Sequence, residues 1–311
     1  MRLVFIGTPE FSIPTLDSLI DQGHDVVSVL TKQDRPTGRG RKMAEPPVKT
    51  YAKDLNIPVI QPDSIAKDDL AIGHLASLHA EVAVVVAYGA LLPRNLLDLF
   101  PLGCLNLHPS SLPKYRGPSP VATAILEGDE TTGVTIMLLD EGMDSGPILS
   151  QEKVAIDPTE NCHELTTRLF KIGGPLMAET LSLWKSNGIE AIPQDNSTAT
   201  FTKPLSRKDG EIDWSMSSAK ILRAIKAFHP WPSTYTFLHG KILKIITASD
   251  ARRLDDMSLE PGQMKIDSDV FIRTGTGFLK LHILQLEGRN AAKAHDFIHG
   301  QKGLDGTLLG R

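Results

Sequence analysis

Cysteine is almost absent from this 311-residue chain, which contains only Cys104 and Cys162. They lie far apart in the sequence and so lack the paired spacing of a zinc site, and two cysteines are too few for a disulfide-stabilised domain. The chain also lacks any apolar run near the roughly 18 residues of a membrane span, and its first apolar stretch is too short for a signal peptide. We therefore expect a cytoplasmic protein that contacts no membrane and binds no metal, and nothing indicates an obligate protein partner.

Two catalytic motifs are also missing. The first strand pattern, Arg2–Gly7, is not followed by G-x-G-x-x-G, since only Gly7 is present, so a dinucleotide site is not supported. No G-x-S-x-G nucleophile elbow occurs, and neither cysteine has the surroundings of a known nucleophile motif. Chemistry through a covalent enzyme intermediate is therefore poorly supported.

The periodicity of the chain predicts two domains of different style. Apolar strand patterns alternate with helical patterns in the first part, which predicts a Rossmann-like, mostly parallel sheet. The last third has short strands separated by glycines, which predicts a small antiparallel barrel resembling an OB-fold. A polar, irregular stretch lies between them. The predicted bounds are a catalytic domain at 1–190, a linker at 191–206 and the C-terminal domain at 207–311.

Positive charge is concentrated in two places. From Arg207 to Arg311 there are 16 lysines and arginines against 12 acidic residues, although the whole chain has a net charge of −4. The stretch K-Q-D-R-P-T-G-R-G-R-K at 32–42 begins with Lys32 and combines flexible glycines with four more cations: Arg35, Arg39, Arg41 and Lys42. A mobile basic loop and a basic domain suit a polyanionic partner. A solvated charge run is the alternative for the loop.

A candidate site lies in L-N-L-H-P-S-S-L-P-K-Y-R-G, which begins at Leu105. Asn106 and His108 are two residues apart on a predicted strand and so share a face. Asp144 follows the next predicted strand, in L-D-E-G-M-D-S-G-P. Because ligands of open α/β sheets bind at the carboxyl ends of strands, we expect one crevice to hold all three side chains.

These three residue types suit acyl transfer to an amine. The asparagine amide can donate to a developing oxyanion, the histidine can move a proton near neutral pH, and the carboxylate can orient the histidine and favour its charged form. Two alternatives remain at this stage. Asn106 and His108 could be core residues bonded to backbone, and His108, Asp140 and Asp144 could bind a metal, although their spacing matches no common site.

The motifs N-x-H-P-S-x-L-P-x-Y-R-G and G-V-T-I-M-x-x-D-x-G-x-D-x-G resemble those of the folate-dependent formyltransferases. The opening V-F-I-G-T-P-E-F, the basic loop, V-V-V-A-Y-G, I-D-W and A-F-H-P-W-P extend the resemblance over almost the whole chain. It implies that Asn106, His108 and Asp144 are catalytic and that no metal takes part. It also implies that the tetrahydrofolate site is lined by a four-residue loop: Ser110, Ser111, Leu112 and Pro113.

The resemblance further implies a reaction and its partners. The donor would be 10-formyltetrahydrofolate, and the acceptor would be the α-amino group of methionine on initiator methionyl-tRNA, as needed for translation initiation. The loop bearing Arg39 would enter the acceptor arm, and the C-terminal domain would add a basic tRNA-binding surface. Two alternatives are a family member with a sugar or glycinamide ribonucleotide acceptor and a non-catalytic RNA-binding protein. The second would not explain Asn106, His108 and Asp144.

Overall fold

The computed structural model describes residues 1–37, 40, 42–251, 258–301 and 303–310. They form two compact units. The first unit comprises Met1–Pro120, Thr131–Ile156 and Thr166–Lys203, and the second comprises Val121–Glu130, Asp157–Leu165 and Pro204–Arg311.

The chain as far as residue 185 alternates strands and helices. The elements are β1 (Arg2–Gly7), α1 (Ile13–Asp21), β2 (Asp25–Leu30), β3 (Arg35–Thr37), β4 (Lys42–Ala44), α2 (Pro47–Asp54), β5 (Val59–Ile60), α3 (Asp69–Ser77), β6 (Val82–Val86), α4 (Arg94–Leu97), β7 (Cys104–His108), α5 (Pro120–Glu127), β8 (Thr131–Leu138), β9 (Ile148–Ala155) and α6 (Cys162–Lys185). Seven strands form one sheet in the order β5-β2-β1-β6-β7-β8-β9. The strands from β5 to β7 are parallel, which confirms the predicted mostly parallel sheet.

The centre of this sheet follows from continuous apolar runs. All five residues of β6, V-A-V-V-V, are buried, as expected for a strand covered on both faces. β7 beside it is equally buried, although it carries Asn106 and His108. Polar side chains in a fully buried strand need a structural or chemical reason, and this strand therefore marks the site.

The sequence suggested that β7 and β8 end at the same edge of the sheet, and this expectation is wrong. β8 pairs antiparallel with β7, placing Thr135 opposite His108 and Leu138 opposite Leu105. The end of β8 therefore lies beside the start of β7, not beside its carboxyl end. The loop after β8 must fold back over roughly 10 Å, three residues of strand, to bring Asp144 to His108. The apolar pattern of a strand does not reveal its direction, so the sequence suggested that β8 runs parallel to β7.

α6 is one continuous helix, although it contains Gly173-Gly174-Pro175. The glycines allow the helix to approach its neighbours closely. A Cβ at Gly173 would lie 2.4 Å from Cδ1 of Leu107, and a Cβ at Gly174 would lie 2.8 Å from the carbonyl oxygen of Pro14. α6 therefore packs directly on the strand that carries the candidate site.

The second unit is built on an antiparallel sheet, as predicted. After α5 and the start of α6, its elements are α7 (Ser218–Ala227), β10 (Thr234–Leu238), β11 (Lys241–Asp250), β12 (Met264–Ile266), β13 (Val270–Arg273), β14 (Phe278–Leu286), β15 (Ala292–Lys293) and α8 (Ala294–His299). The strands run in the order β10-β11-β14-β13-β12, and β15 pairs with β14. Its core includes Trp214, Leu243, Ile272 and Leu279. Across the described ranges, no helix combines the length and apolarity needed to cross a membrane.

The residues predicted as a linker make many contacts with the first unit. Ile192 exchanges backbone hydrogen bonds with Ile148. The backbone of Arg116 bonds to that of Thr200 and Thr202 at 2.9 and 2.8 Å. A polar sequence does not reveal these contacts, because backbone groups and buried polar side chains make them. The division of the chain at 191–206 stays a prediction, but this stretch is not a free tether.

Candidate active site

His108 is the last residue of β7 and is buried. Its Nε2 lies 2.9 Å from the carbonyl oxygen of Tyr115. A carbonyl can only accept a hydrogen bond, so Nε2 carries the hydrogen and donates it. The other nitrogen, Nδ1, lies 3.6 Å from Oδ2 of Asp144, which is within ion-pair distance. Nδ1 is therefore the nitrogen that can exchange a proton beside the carboxylate.

Asp144 has the backbone conformation of a turn. Its φ is +51°, in the left-handed region that aspartate and asparagine tolerate better than most residues. Its Oδ2 accepts a 2.7 Å hydrogen bond from the backbone N–H of Gly117. The carboxylate thus connects the loop after β8 with the loop after β7, and it faces the imidazole of His108.

Asn106 lies two residues before His108 and points to the same face of the strand. Its residue is buried, and its side-chain amide has no hydrogen-bond partner among the described residues. The interpretation of Asn106 and His108 as core residues bonded to backbone therefore fits only His108. A side-chain amide without a protein partner is available to donate to a ligand.

Asp140 does not join these residues. Its carboxylate accepts hydrogen bonds from the Gly142 N–H at 3.0 Å and from the Ser145 hydroxyl at 2.9 Å, so it stabilises the turn of its own loop. Among the residues that the structure describes, no group of three or more histidine, cysteine, aspartate or glutamate side chains is arranged to hold a metal. A metal site at His108, Asp140 and Asp144 therefore has no support from the geometry.

The loop predicted to line the folate site is held from inside by β8 and β9. The hydroxyl of Thr135 donates to the carbonyl of Ser110 at 2.7 Å and accepts from the N–H of Leu112 at 3.2 Å. Gln151 donates to the Thr135 hydroxyl at 2.8 Å and to the carbonyl of Leu112 at 3.0 Å. A buried Thr135 therefore sets the path of the loop backbone.

The four side chains of this loop differ in position. The Ser110 hydroxyl is buried and donates to the carbonyl of Lys114 at 2.7 Å, and Leu112 is buried as well. Ser111 lies against Gly133, where a Cβ would meet its Oγ. Ser111 and Pro113 are partly exposed. The loop can therefore present backbone groups more readily than the hydroxyl of Ser110.

Strands β3 and β4 pair as an antiparallel hairpin within the basic stretch, for which the sequence predicted a mobile loop. Arg35 pairs with Ala44, and Thr37 pairs with Lys42. Directly opposed residues of an antiparallel pair share a face, so Arg35 and Lys42 lie on the same exposed face. Arg39 and Arg41, the other two predicted tRNA-binding cations, lie outside the described residues.

A cluster of charges closes the base of this hairpin. Lys49 of α2 contacts both carboxylate oxygens of Asp34 at 2.8 Å and Oε1 of Glu45 at 3.1 Å. Hydrogen bonds from Lys49 and Gln61 lower the pKa of Asp34, and hydrogen bonds from Lys53 and Lys49 lower that of Glu45. The hydrogen bond to Asp34 and, to a smaller extent, the hydrogen bond to Glu45 raise the pKa of Lys49. One lysine thus holds the residues that flank the two strands.

Cys104, at the start of β7, is not poised as a nucleophile. Burial raises the pKa of its thiol to about 12, with a smaller contribution from Asp98. A thiol that stays protonated near neutral pH is neither a nucleophile nor a metal ligand. Cys104 therefore supplies no reactive thiolate to this strand.

Comparison with known proteins identifies the family of this chain. Residues 1–181 match the family described as formyl transferase, and residues 204–302 match the formyl transferase C-terminal domain. The chain belongs to the formyl transferase family. It is 44% identical over 303 residues to the methionyl-tRNA formyltransferase of Chloroflexus aurantiacus, covering 96% of this chain and 97% of that protein.

Two further proteins extend the comparison. The methionyl-tRNA formyltransferase of Coxiella burnetii is 40% identical over 314 residues, which cover 99% of each chain. Among solved structures, HypX from Aquifex aeolicus in complex with tetrahydrofolic acid has a TM-score of 0.67 at 16% identity, covering 99% of this chain and 48% of that one. The structural likeness supports the fold. The resemblance inferred from the motifs is confirmed.

Proposed function

We propose that this protein transfers the formyl group of 10-formyltetrahydrofolate to the α-amino group of methionine on initiator methionyl-tRNA. The observation that carries the proposal is the pairing of His108 Nδ1 with Asp144 beside the unpartnered amide of Asn106. Full-length relatives named methionyl-tRNA formyltransferase support the choice of acceptor. The sequence and the described residues offer no specific feature that favours a sugar or glycinamide ribonucleotide as the acceptor.

Each member of the trio has a distinct role in the proposed step. The attacking amine forms a bond to the formyl carbon, and the formyl oxygen becomes negative, where the Asn106 amide donates to it. The bond from the formyl carbon to the donor nitrogen then breaks. The amine must lose one proton and the departing nitrogen must gain one, and His108 moves that proton through Nδ1 because Nε2 is bonded to Tyr115.

Asp144 supports this proton movement in two ways. Its carboxylate faces Nδ1 at 3.6 Å, so a positive charge that forms on the ring during proton transfer lies next to a negative one. Its bond to the Gly117 N–H fixes the carboxylate in place, so little reorganisation is needed during the reaction. We propose that Ser110, Ser111, Leu112 and Pro113 line the donor site mainly through backbone groups, since Thr135 fixes the backbone and Ser110 is internally bonded.

The tRNA surface is proposed from charge and exposure. Arg35 and Lys42 share the exposed face of the β3–β4 hairpin, and Arg39 and Arg41 lie between these strands in the sequence. Exposed cations on a hairpin suit contact with a phosphate backbone. We assign the C-terminal residues 207–311, with their excess of lysine and arginine, to tRNA binding as well. A cytoplasmic location is proposed because translation takes place there.

The test is a formyl-transfer assay with three acceptors supplied separately at equal concentration. Charged initiator tRNA should be formylated, whereas glycinamide ribonucleotide and an amino-sugar nucleotide should not. Uncharged initiator tRNA serves as the control, since it offers the same phosphates without the amine. Transfer to either small acceptor at a kcat/KM equal to that for charged tRNA would overturn the proposed acceptor.

A further inference from the structure

The segment from Gln194 to Thr202, predicted as part of a linker, contacts the loops on both sides of the candidate site. Gln194 is buried, and its Nε2 donates to the carbonyl oxygens of Asp144 at 2.9 Å and Gly146 at 2.7 Å. Its Oε1 accepts from Nε of Arg116 at 2.9 Å. All hydrogen-bonding groups of this one amide are therefore used, two of them on the loop that carries the catalytic carboxylate.

Arg116 extends the network to the loop after β7. It is buried, its Nη2 donates to Oδ1 of Asn196 at 2.9 Å, and its backbone is paired with Thr200 and Thr202. The next residue, Gly117, donates to the Asp144 carboxylate. Asp144 is therefore held at two points. Gln194 binds its backbone carbonyl, and the N–H of Gly117, next to the fixed backbone of Arg116, binds its carboxylate.

The same segment also reaches the partner of the histidine. The N–H of Tyr115 donates to the Thr200 hydroxyl at 2.8 Å, and the carbonyl of Tyr115 accepts from Nε2 of His108. The two groups that orient His108, the Tyr115 carbonyl and the Asp144 carboxylate, are therefore both anchored on residues 194–202.

We propose that Gln194 is a positioning residue for the catalytic carboxylate. Asp144 has a left-handed backbone, a conformation that persists only where its surroundings fix it. The two hydrogen bonds from Gln194 stabilise that conformation and so keep Oδ2 facing Nδ1 of His108. A buried arginine on Oε1 strengthens them, because hydrogen bonds in a chain polarise one another. The proposal rests on the proposed formyl transfer as the measured reaction.

The first test is Gln194→Ala in the full-length protein, assayed with charged initiator tRNA and the folate donor. Displacement of a catalytic group by about 1 Å costs on the order of a hundredfold in rate. We expect kcat to fall about 10- to 100-fold, with the KM of either substrate within about threefold of wild type, because Gln194 holds a catalytic group and no substrate. Ser197→Ala is the matched control, since Ser197 lies in the same segment and its only side-chain partner within the described part of the chain is Asp195.

A double-mutant cycle separates positioning from a general loss of structure. If Gln194 acts through Asp144, the effect of Gln194→Ala on kcat should shrink to about threefold or less in an Asp144→Asn background. A purely structural role predicts the full loss in both backgrounds. Gln194→Asn is the second variant should Gln194→Ala fold poorly, since the shorter side chain keeps the amide but cannot span Arg116 and both carbonyls.

The outcomes decide between the two proposals. A folded Gln194 variant with wild-type kcat, or an unshrunk loss in the Asp144→Asn background, overturns the role of Gln194 while the formyl transfer by the wild-type protein stands. Absence of formyl transfer by the wild-type protein would instead overturn the proposed function. In that case, ¹⁵N NMR of the His108 ring in Gln194→Asn tests the inference without activity. An unchanged ring spectrum would then refute it.

Discussion

Removing the hydroxyl of Thr135 should weaken the fold and the donor site together. Thr135→Val keeps the shape of the side chain but leaves the carbonyl of Ser110 and the N–H of Leu112 without the partner that they have in the native structure. Gln151 would keep its bond to the Leu112 carbonyl. Each buried backbone group left unpaired costs about 1 to 3 kcal/mol, and the long 3.2 Å bond counts at the low end, so we expect a loss of about 3 kcal/mol.

The chain offers a control on the same strand. Thr132 is also buried in β8, but its hydroxyl has no hydrogen-bond partner within the described residues. Thr132→Val removes a polar group that is buried without compensation, so stability should be unchanged or higher. Both variants delete one hydroxyl and add one methyl group, and they differ only in the hydrogen bonds lost.

The measurement is urea denaturation of the two variants and wild type, compared at equal m-value, together with the KM for the folate donor. We expect Thr135→Val to lose stability and to raise the donor KM, because the backbone of 110–113 loses its anchor. Thr132→Val should do neither. Equal losses for the two variants would show that valine packing at these positions, and not the hydrogen bonds, sets the stability.

Four further predictions concern the chemistry and the basic hairpin. Asn106→Ala should lower kcat by about a hundredfold, equal to about 3 kcal/mol of transition-state stabilisation, with little change in donor binding by titration; turnover near wild type would rule out the oxyanion role. Asp144→Asn keeps the left-handed backbone and an acceptor for the Gly117 N–H but loses the charge, so kcat should fall while the melting temperature stays close to wild type; a matching fall in both would make Asp144 structural. Arg39→Ala should impair the use of charged tRNA in steady-state kinetics and leave the donor KM intact, and equal effects on both substrates would contradict a recognition loop. The carboxylates that hold Lys49 have lowered pKa values, so their contribution to the stability of the hairpin is present at neutral pH and is lost as pH falls below about 4. Hydrogen exchange in β3 and β4 should therefore speed up in acid. Exchange that is independent of pH after correction for intrinsic rates would argue against a role for this cluster.

The sequence predicted those parts of the molecule that local pattern determines. The bounds of β1 match the prediction, because it is an apolar stretch followed by residues that favour a turn. Asn106 and His108 could be found because polar residues two apart in an otherwise apolar strand are conspicuous. The residues that hold the site escaped notice: Thr135 looks like any strand threonine, and Gln194 lies in a stretch of linker-like composition.

What could not be predicted depends on contacts between distant parts of the chain. The direction of β8 is set by its pairing with β7 and β9, and no residue in G-V-T-I-M-L encodes that choice. The bond between Arg116 and Gln194 joins residues far apart in sequence. A hairpin at β3 and β4 was missed because glycine and proline in its sequence favour an irregular loop, whereas the cluster around Lys49 holds its base.

The close packing of α6 makes the reaction sensitive to a position that carries no chemistry. A methyl group at Gly173 would overlap Leu107, and it would also lie 3.0 Å from Cγ1 of Val134 on the neighbouring strand. Leu107 stands between Asn106 and His108 in sequence and points to the opposite face of β7. A side chain on the helix would therefore press the strand towards the substrates from behind. Random mutagenesis scored by formyl transfer should consequently find Gly173 almost as intolerant of substitution as the proposed catalytic residues Asn106, His108 and Asp144.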